Sequence, residues 1–295
     1  MDSTTGLPEA LRARREGLCL YGLTPPKRGQ DPDRIREIAD RQARRIRDLA
    51  PDGLIVYDLQ DEAGRNGAAR PFPFLPTLEP LDYARGFLDG LSLPKILYKC
   101  VANLDRAGFE AWTDRMSATG RDACVLVGAP TGNPVSAAPD SALSLREAYG
   151  LLRDRRAQVC FGGVAIAERH ARKNDEDERL LSKHDAGCRF FVSQTVYDPG
   201  ATRSLLSDYA LRFARAGLPP APFILSFSPC GSLRTMEFMK WLGISFPRWL
   251  ENELRHSPDI LGKSVDLAAE IFDDVAGFAA GKGIPIGVNV ESVSI

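Results

Sequence analysis

Carboxylates, amides and hydroxyls in this sequence gather immediately downstream of short apolar runs. Asp58, Gln60 and Glu62 lie at and beyond the end of a run that begins at Gly53, and Lys99 stands near the end of the run 95–101. Thr131 and Asn133 follow 123–128, and Glu168, Arg169 and His170 follow 159–166. Gln194 and Tyr197 close 189–196, Ser226 and Ser228 close 222–227, and Asn289 and Glu291 close 285–290. Carboxylates so placed can give or take a proton. Side-chain amides offer a donor and an acceptor side by side, the pattern that pairs with the edge of a heteroaromatic ligand. The period of two along a strand puts Asp58, Gln60 and Glu62 on one side. Asp58 is therefore the first candidate for a general acid, with Glu62 as the second. Gln194, Tyr197, Asn289 and Glu291 are candidate substrate-binding residues, and by strand parity Glu291 is a further candidate acid.

These groups can act together only if the runs are strands whose downstream ends converge. Eight apolar runs are visible, beginning at Leu18, Gly53, Lys95, Ala123, Val159, Arg189, Pro222 and Pro285. Each but the last is followed by a segment with helical spacing of apolar residues. In 31–49, for example, Ile35, Ile38, Ala39, Ala43, Ile46 and Leu49 share one face and charges fill the other. Pro25 and Pro26 must end the first strand, because proline cannot continue a ladder. The count is that of a single-domain α/β protein with a (β/α)8 TIM barrel spanning residues 1–295, in which 1–17 is a basic, frayed helical lead-in. A doubly wound sheet is the alternative, but no nucleotide fingerprint follows an early strand. The long stretch 61–80, with Arg70, Phe72 and Phe74, has the length of a functional lid or of a loop pinned down by its two phenylalanines.

Composition narrows the partners. The 38 basic and 39 acidic residues balance, which leaves no electrostatic footprint for nucleic acid or an anionic membrane. No apolar run approaches the roughly 18 residues of a membrane span, and the first 17 residues lack an apolar leader core, so the expectation is a cytoplasmic protein acting on a small molecule. Six cysteines without a CxxC pair read as buried free thiols, and three histidines without paired spacing argue against a metal site. Whether the chain forms a homo-oligomer is left open.

The stretch 161–198 resembles the methylenetetrahydrofolate reductase family. Glu168 to His170, then Lys183 with Asp185, Ala186 and Gly187, then Ser193, Gln194 and Asp198 correspond to that family's strand-five loop, Lys-x-Asp-Ala-Gly helix end and Thr-Gln-x-x-x-Asp strand. Leu20 to Pro26 and Ser228 to Pro247 look like its first and seventh strand segments, so the similarity runs through nearly the whole chain. The resemblance implies a (β/α)8 barrel holding FAD, with NAD(P)H as hydride source and 5,10-methylenetetrahydrofolate as the substrate reduced to 5-methyltetrahydrofolate, or the reverse. It further implies that Gln194 contacts the folate and that His170 and Lys183 line the flavin's phosphate and ribose side. Gly128, the middle residue of the strand-four segment, falls beside the same cofactor. At four places the sequence departs from the family pattern. Gly22 stands in place of the catalytic glutamate, and Val127, Gly128, Ala129 in place of Arg-Gly-Asp. Ile166 replaces the flavin-stacking tyrosine, and Ser182 an arginine. Three functions follow as alternatives: a folate oxidoreductase working through an altered flavin site or by direct hydride transfer, a folate-binding or regulatory protein, and another one-carbon transfer on the same scaffold.

Overall fold

The computed structural model describes residues 6–61, 68–118, 122–129, 142–154 and 159–291. Eight parallel strands close into a barrel in chain order, from β1 (Cys19–Leu23), β2 (Gly53–Val56), β3 (Lys95–Cys100) and β4 (Ala123–Val127) to β5 (Cys160–Ala165), β6 (Phe191–Thr195), β7 (Phe223–Phe227) and β8 (Ile286–Glu291). The barrel is sealed by β1 lying parallel to β8, with Gly22 opposite Glu291. Eleven α-helices are described: α1 (Leu7–Arg12), α2 (Pro32–Leu49), α3 (Pro80–Phe87), α4 (Arg106–Ser117), α5 (Leu145–Asp154), α6 (Ala167–Lys173), α7 (Glu176–Asp185), α8 (Pro199–Arg215), α9 (Leu233–Trp241), α10 (Arg248–Arg255) and α11 (Ile260–Ala280).

Local chemistry accounts for these boundaries. Asp31 caps α2 by accepting from the Asp33 amide, Pro32 supplies a pre-set first turn, and Ile35, Ala39, Ala43 and Ile46 are the buried stripe. The polar face of α2 is solvated. β1 ends at Leu23, just before Thr24 and the Pro-Pro pair. At the entry to β6, Gly187 has φ of +114°, and a Cβ there would lie 2.7 Å from the Phe161 ring, so both backbone and packing require glycine.

Burial separates into two layers, as a barrel demands. Leu20, Ile55, Ile96, Val125, Val192 and Ile224 belong to the inner cluster, while residues of alternate parity such as Leu54, Leu97, Phe191 and Leu225 pack against the helices. The lead-in is not frayed throughout. Leu7, Ala10 and Leu11 of α1 are buried in the inner cluster, so this short helix plugs the barrel floor. A second correction concerns Glu168, Arg169 and His170, which the sequence suggests as a loop. They form α6, which ends at Asn174 in a left-handed conformation. Five of the six cysteines are buried free thiols and Cys19 is exposed. Among the described residues, no helix is long and apolar enough to cross a membrane.

Candidate functional site

The inner residues at the downstream strand ends build one polar centre around Glu291. The Oε1 atom of Glu291 accepts from Thr195 Oγ1 at 3.0 Å and from Ser228 Oγ at 2.8 Å. The other oxygen, Oε2, accepts from Asn289 Nδ2 at 3.2 Å. Asn289 also donates to Tyr57 Oη at 2.9 Å and lies 3.2 Å from Ser226 Oγ. Tyr57 and Tyr98 pack with ring centroids 4.7 Å apart, forming an aromatic wall beside the carboxylate. Burial, and secondarily the charge of Glu291, push both phenols well above the usual tyrosine range. They remain neutral hydrogen-bonding groups at any physiological pH.

Gly22 makes this arrangement sterically feasible. A Cβ on Gly22 would lie 2.8 Å from Glu291 Cβ and 3.0 Å from both Asn289 Oδ1 and the Tyr57 ring. Without a side chain on β1, the β8 carboxylate and the β2 tyrosine close over the same space. The position where the resemblance implies an acid on β1 is thus filled by an acid projecting from the neighbouring strand.

Asp58 does not occupy the mouth. The inward position at the end of β2 belongs to Tyr57, and Asp58 is one residue out of phase. Its Oδ2 accepts from the Cys100 amide at 2.8 Å and its Oδ1 from Gln60 Nε2 at 2.8 Å, while Gln60 Oε1 accepts from Asn103 Nδ2 at 2.7 Å. Asp58 and Gln60 do share a side, as the strand period predicts, but that side ties β2 to β3. Burial pushes the Asp58 carboxyl up, against the pull of the Cys100 amide and Lys99. Lys99 is held by Glu79 at 3.1 Å, and Trp112 Nε1 donates to the same carboxylate at 2.9 Å. Glu62, Thr131 and Asn133 lie outside the described residues.

On the opposite rim, the residues matched to the reductase pattern are engaged in structure. His170 is buried between α6 and α8, with Nε2 3.1 Å from Asp208. Lys183 runs along Gly163 and donates to the Val164 carbonyl at 2.5 Å, and burial pushes its ammonium pKa down. Asp198 caps α8 through the Ala201 amide and accepts from Ser245 Oγ, while Glu168 accepts from the Ser245 amide at 3.2 Å. Gln194 Nε2 donates to the Leu242 carbonyl at 3.1 Å. Glu168, Gln194 and Asp198 therefore clasp the connection between α9 and α10. Tyr197 is enclosed, donating to the Ser228 carbonyl at 2.7 Å and stacking on Phe246. A Cβ on Gly128 would make an ordinary contact with Leu145 Cβ at 3.7 Å, and the Gly128 carbonyl faces the Cys100 thiol.

These placements do not fit a flavin held as the resemblance implies. The Lys183 ammonium donates to the Val164 carbonyl and His170 Nε2 faces Asp208, and Val127, Gly128 and Ala129 supply no carboxylate.

Two side-chain groups escape sequence reasoning. Thr195 turns inward because the β6–β7 register shifts between Val192 and Thr195, where Ser193 Oγ accepts the Ser226 amide at 2.9 Å. Tyr57 and Tyr98 sit in uninterrupted apolar runs that carry no alternation to reveal their direction; a tyrosine near the end of such a run is the only signal. Segment 68–78 is tied to the β1 exit by Arg28 N to Pro76 O at 2.7 Å and Leu78 N to Pro26 O at 2.9 Å. Its far side is pinned to α9, with Phe72 edge-on to Phe238 and the Arg70 guanidinium within 5.2–5.4 Å of the Phe74, Phe238 and Trp241 rings. Phe72 anchors this loop to α9, while Phe74 lies against Arg70 of the same segment.

No protein-family model matches the chain, and neither does any curated protein. Among solved structures, an uncharacterised protein from Clostridium thermocellum that binds two copies of 5-methyl-5,6,7,8-tetrahydrofolic acid is 40% identical to this chain. The match covers 98% of this chain and 93% of that one, with a TM-score of 0.83. The chain belongs to the family of that protein. A 2,3-dimethylmalate lyase of the PEP mutase/isocitrate lyase superfamily, 14% identical over 96% of this chain and 76% of its own with a TM-score of 0.50, shares the barrel fold alone.

Proposed function

We propose that the barrel mouth binds a reduced folate, with the pterin beside Tyr57 and Tyr98 and in reach of the Glu291 carboxylate. The observation that carries this reading is the Glu291 centre itself. It is a half-buried carboxylate among neutral hydroxyls, an amide and two phenols, in a chain 40% identical to a protein that binds 5-methyltetrahydrofolic acid. A carboxylate can pair with the donor edge of a pterin or exchange a proton with its nitrogens. Asn289 would hold that carboxylate in place.

The reaction best suited to such a centre is interconversion of 5,10-methylenetetrahydrofolate and 5-methyltetrahydrofolate. In the reductive direction, Glu291 as the acid would protonate N10, and the bond from the methylene carbon to N10 would break with its electron pair going to nitrogen. Hydride from a nicotinamide nucleotide would then add to the N5-methylene iminium to give the methyl group. Glu291 would be left as a carboxylate and regain its proton from water. Because the flavin contacts do not fit, the reading uses direct transfer from the nicotinamide and needs both molecules bound together.

The test is nicotinamide oxidation by the wild type and by Glu291→Gln with 5,10-methylenetetrahydrofolate, without added flavin. Loss of a general acid predicts a fall in kcat of about 10²- to 10⁴-fold. Equal rates in the two proteins would remove Glu291 from the chemistry. A wild type that binds 5-methyltetrahydrofolate yet never oxidises the nicotinamide would refute the reductase step and favour a folate-binding protein.

A further inference from the structure

Asn289 is fully buried, yet its hydrogen bonding is lopsided. Nδ2 has three acceptors within reach, at Tyr57 Oη, Ser226 Oγ and Glu291 Oε2, for its two hydrogens. Oδ1 has no partner and faces Gly22, 3.0 Å from where a Cβ would stand. Buried polar atoms are rarely left this way without a reason. This orientation suits an ionised Glu291, which can only accept. A half-turn of the amide keeps its shape and exchanges oxygen and nitrogen. Oδ1 would then accept from the Tyr57 and Ser226 hydroxyls and from a protonated Glu291, while Nδ2 would face Gly22. Each orientation leaves one polar atom unpaired beside Gly22. They differ in which form of Glu291 they serve.

We infer that Asn289 is a positioning residue whose amide turns over with the proton on Glu291, so that the carboxylate and the carboxylic acid are each held in the same place. Resting on the folate reading above, this deepens it: an acid that must lose and regain a proton in each turnover meets a partner for both states. When Glu291 gives up its proton, Nδ2 swings to Oε2, and no proton is gained or lost at Asn289. The titratable side chains that feel Glu291 among the described residues are Tyr57 on the β2 exit and Tyr98 on β3, both kept neutral. The groups facing it from β1, β6, β7 and β8 are Gly22, Thr195, Ser228 and Asn289, none of them titratable. Glu291 is therefore the one group in the centre able to drive the turn.

The direct test is nuclear magnetic resonance on the protein alone, with the Asn289 side-chain amide assigned by its loss in Asn289→Leu and Glu291 followed by its carboxyl carbon. The amide protons should show a nuclear Overhauser contact to the Gly22 α-protons at pH values where Glu291 is protonated, and that contact should vanish as Glu291 ionises. A contact pattern unchanged across the Glu291 titration overturns the inference. In the ligand-bound protein, Asn289→Leu should lower kcat at least tenfold with KM nearly constant. Asn289→Asp, whose carboxyl can donate or accept, should recover part of the loss, and equal kcat in all three proteins would also overturn the inference. Because the resonance experiment uses no folate, failure of the folate reading, seen as absence of 5-methyltetrahydrofolate uptake by calorimetry, is distinguishable from failure of the switch.

Discussion

Replacing Gly22 with alanine probes the centre through one methyl group. The new Cβ would sit 2.8 Å from Glu291 Cβ, and neither that atom nor the Tyr57 ring at 3.0 Å is the loose end of a flexible chain. Register on both flanks holds β1, with Gly22 opposite Ile55 on β2 and Glu291 on β8, so the backbone cannot simply retreat. Overpacking of this kind costs about 1–3 kcal/mol. Gly22 is not in a left-handed conformation, so alanine recovers about 0.4–1 kcal/mol by restricting the unfolded chain. The net loss, taken at the middle of both ranges, is about 1.3 kcal/mol, which at roughly 2–4 °C per kcal/mol lowers Tm by about 3–5 °C. The larger consequence is geometric. Displacing Glu291 disturbs its bonds to Thr195, Ser228 and Asn289 together, so affinity for 5-methyltetrahydrofolate should fall by more than the stability loss explains. The assays are thermal unfolding by circular dichroism and titration calorimetry with the folate. An alanine variant with wild-type Tm and wild-type affinity would refute the argument that Gly22 exists to admit the β8 carboxylate.

Three further substitutions separate the centre from its scaffold. Asp58→Asn should leave turnover within about threefold of wild type and cost roughly 0.5–1.5 kcal/mol in denaturant unfolding, because its carboxylate serves the Cys100 amide and Gln60. Lys183→Met should leave folate affinity unchanged in calorimetry. Burial holds the Lys183 pKa below its unfolded value, so the cost of its charge is present below the folded pKa and is relieved as pH rises from there toward the unfolded value; the wild type should gain on the methionine variant over that alkaline window. Glu168 shows the opposite case for an acid. Burial raises its pKa, so its ionised form costs stability above the folded pKa, and Glu168→Gln should melt at or above the wild-type temperature at pH 7, with the advantage disappearing below the unfolded pKa of about 4.3.

The barrel was legible because it rests on patterns that survive without tertiary information. Eight apolar runs, the Pro25–Pro26 stop and the helical stripe of α2 each carry their own physical signature. The mouth was legible as a set of strand ends, and Asn289 and Glu291 were named on that basis. Direction within a strand end was not. Leu54, Ile55, Val56 and Tyr57 are all buried or half-buried, so nothing in their types says which of two faces Asp58 takes. Thr195 depends on a register shift in β6, and a one-residue shift reverses every side chain beyond it. His170, Lys183 and Gln194 carry the likeness to the reductases, but their neighbours in space come from α6, α7, α8 and the α9–α10 connection. Those contacts brace the β5–β6 rim.

The most direct measurement of the central claim is a crystal structure of the protein with 5-methyltetrahydrofolate. The account predicts the pterin in the barrel mouth beside Tyr57 and Tyr98, with a ring nitrogen or the exocyclic amine within hydrogen-bond distance of the Glu291 carboxylate. A folate bound only elsewhere, with Glu291 still turned to Thr195, Ser228 and Asn289 and touching no ligand, would contradict it.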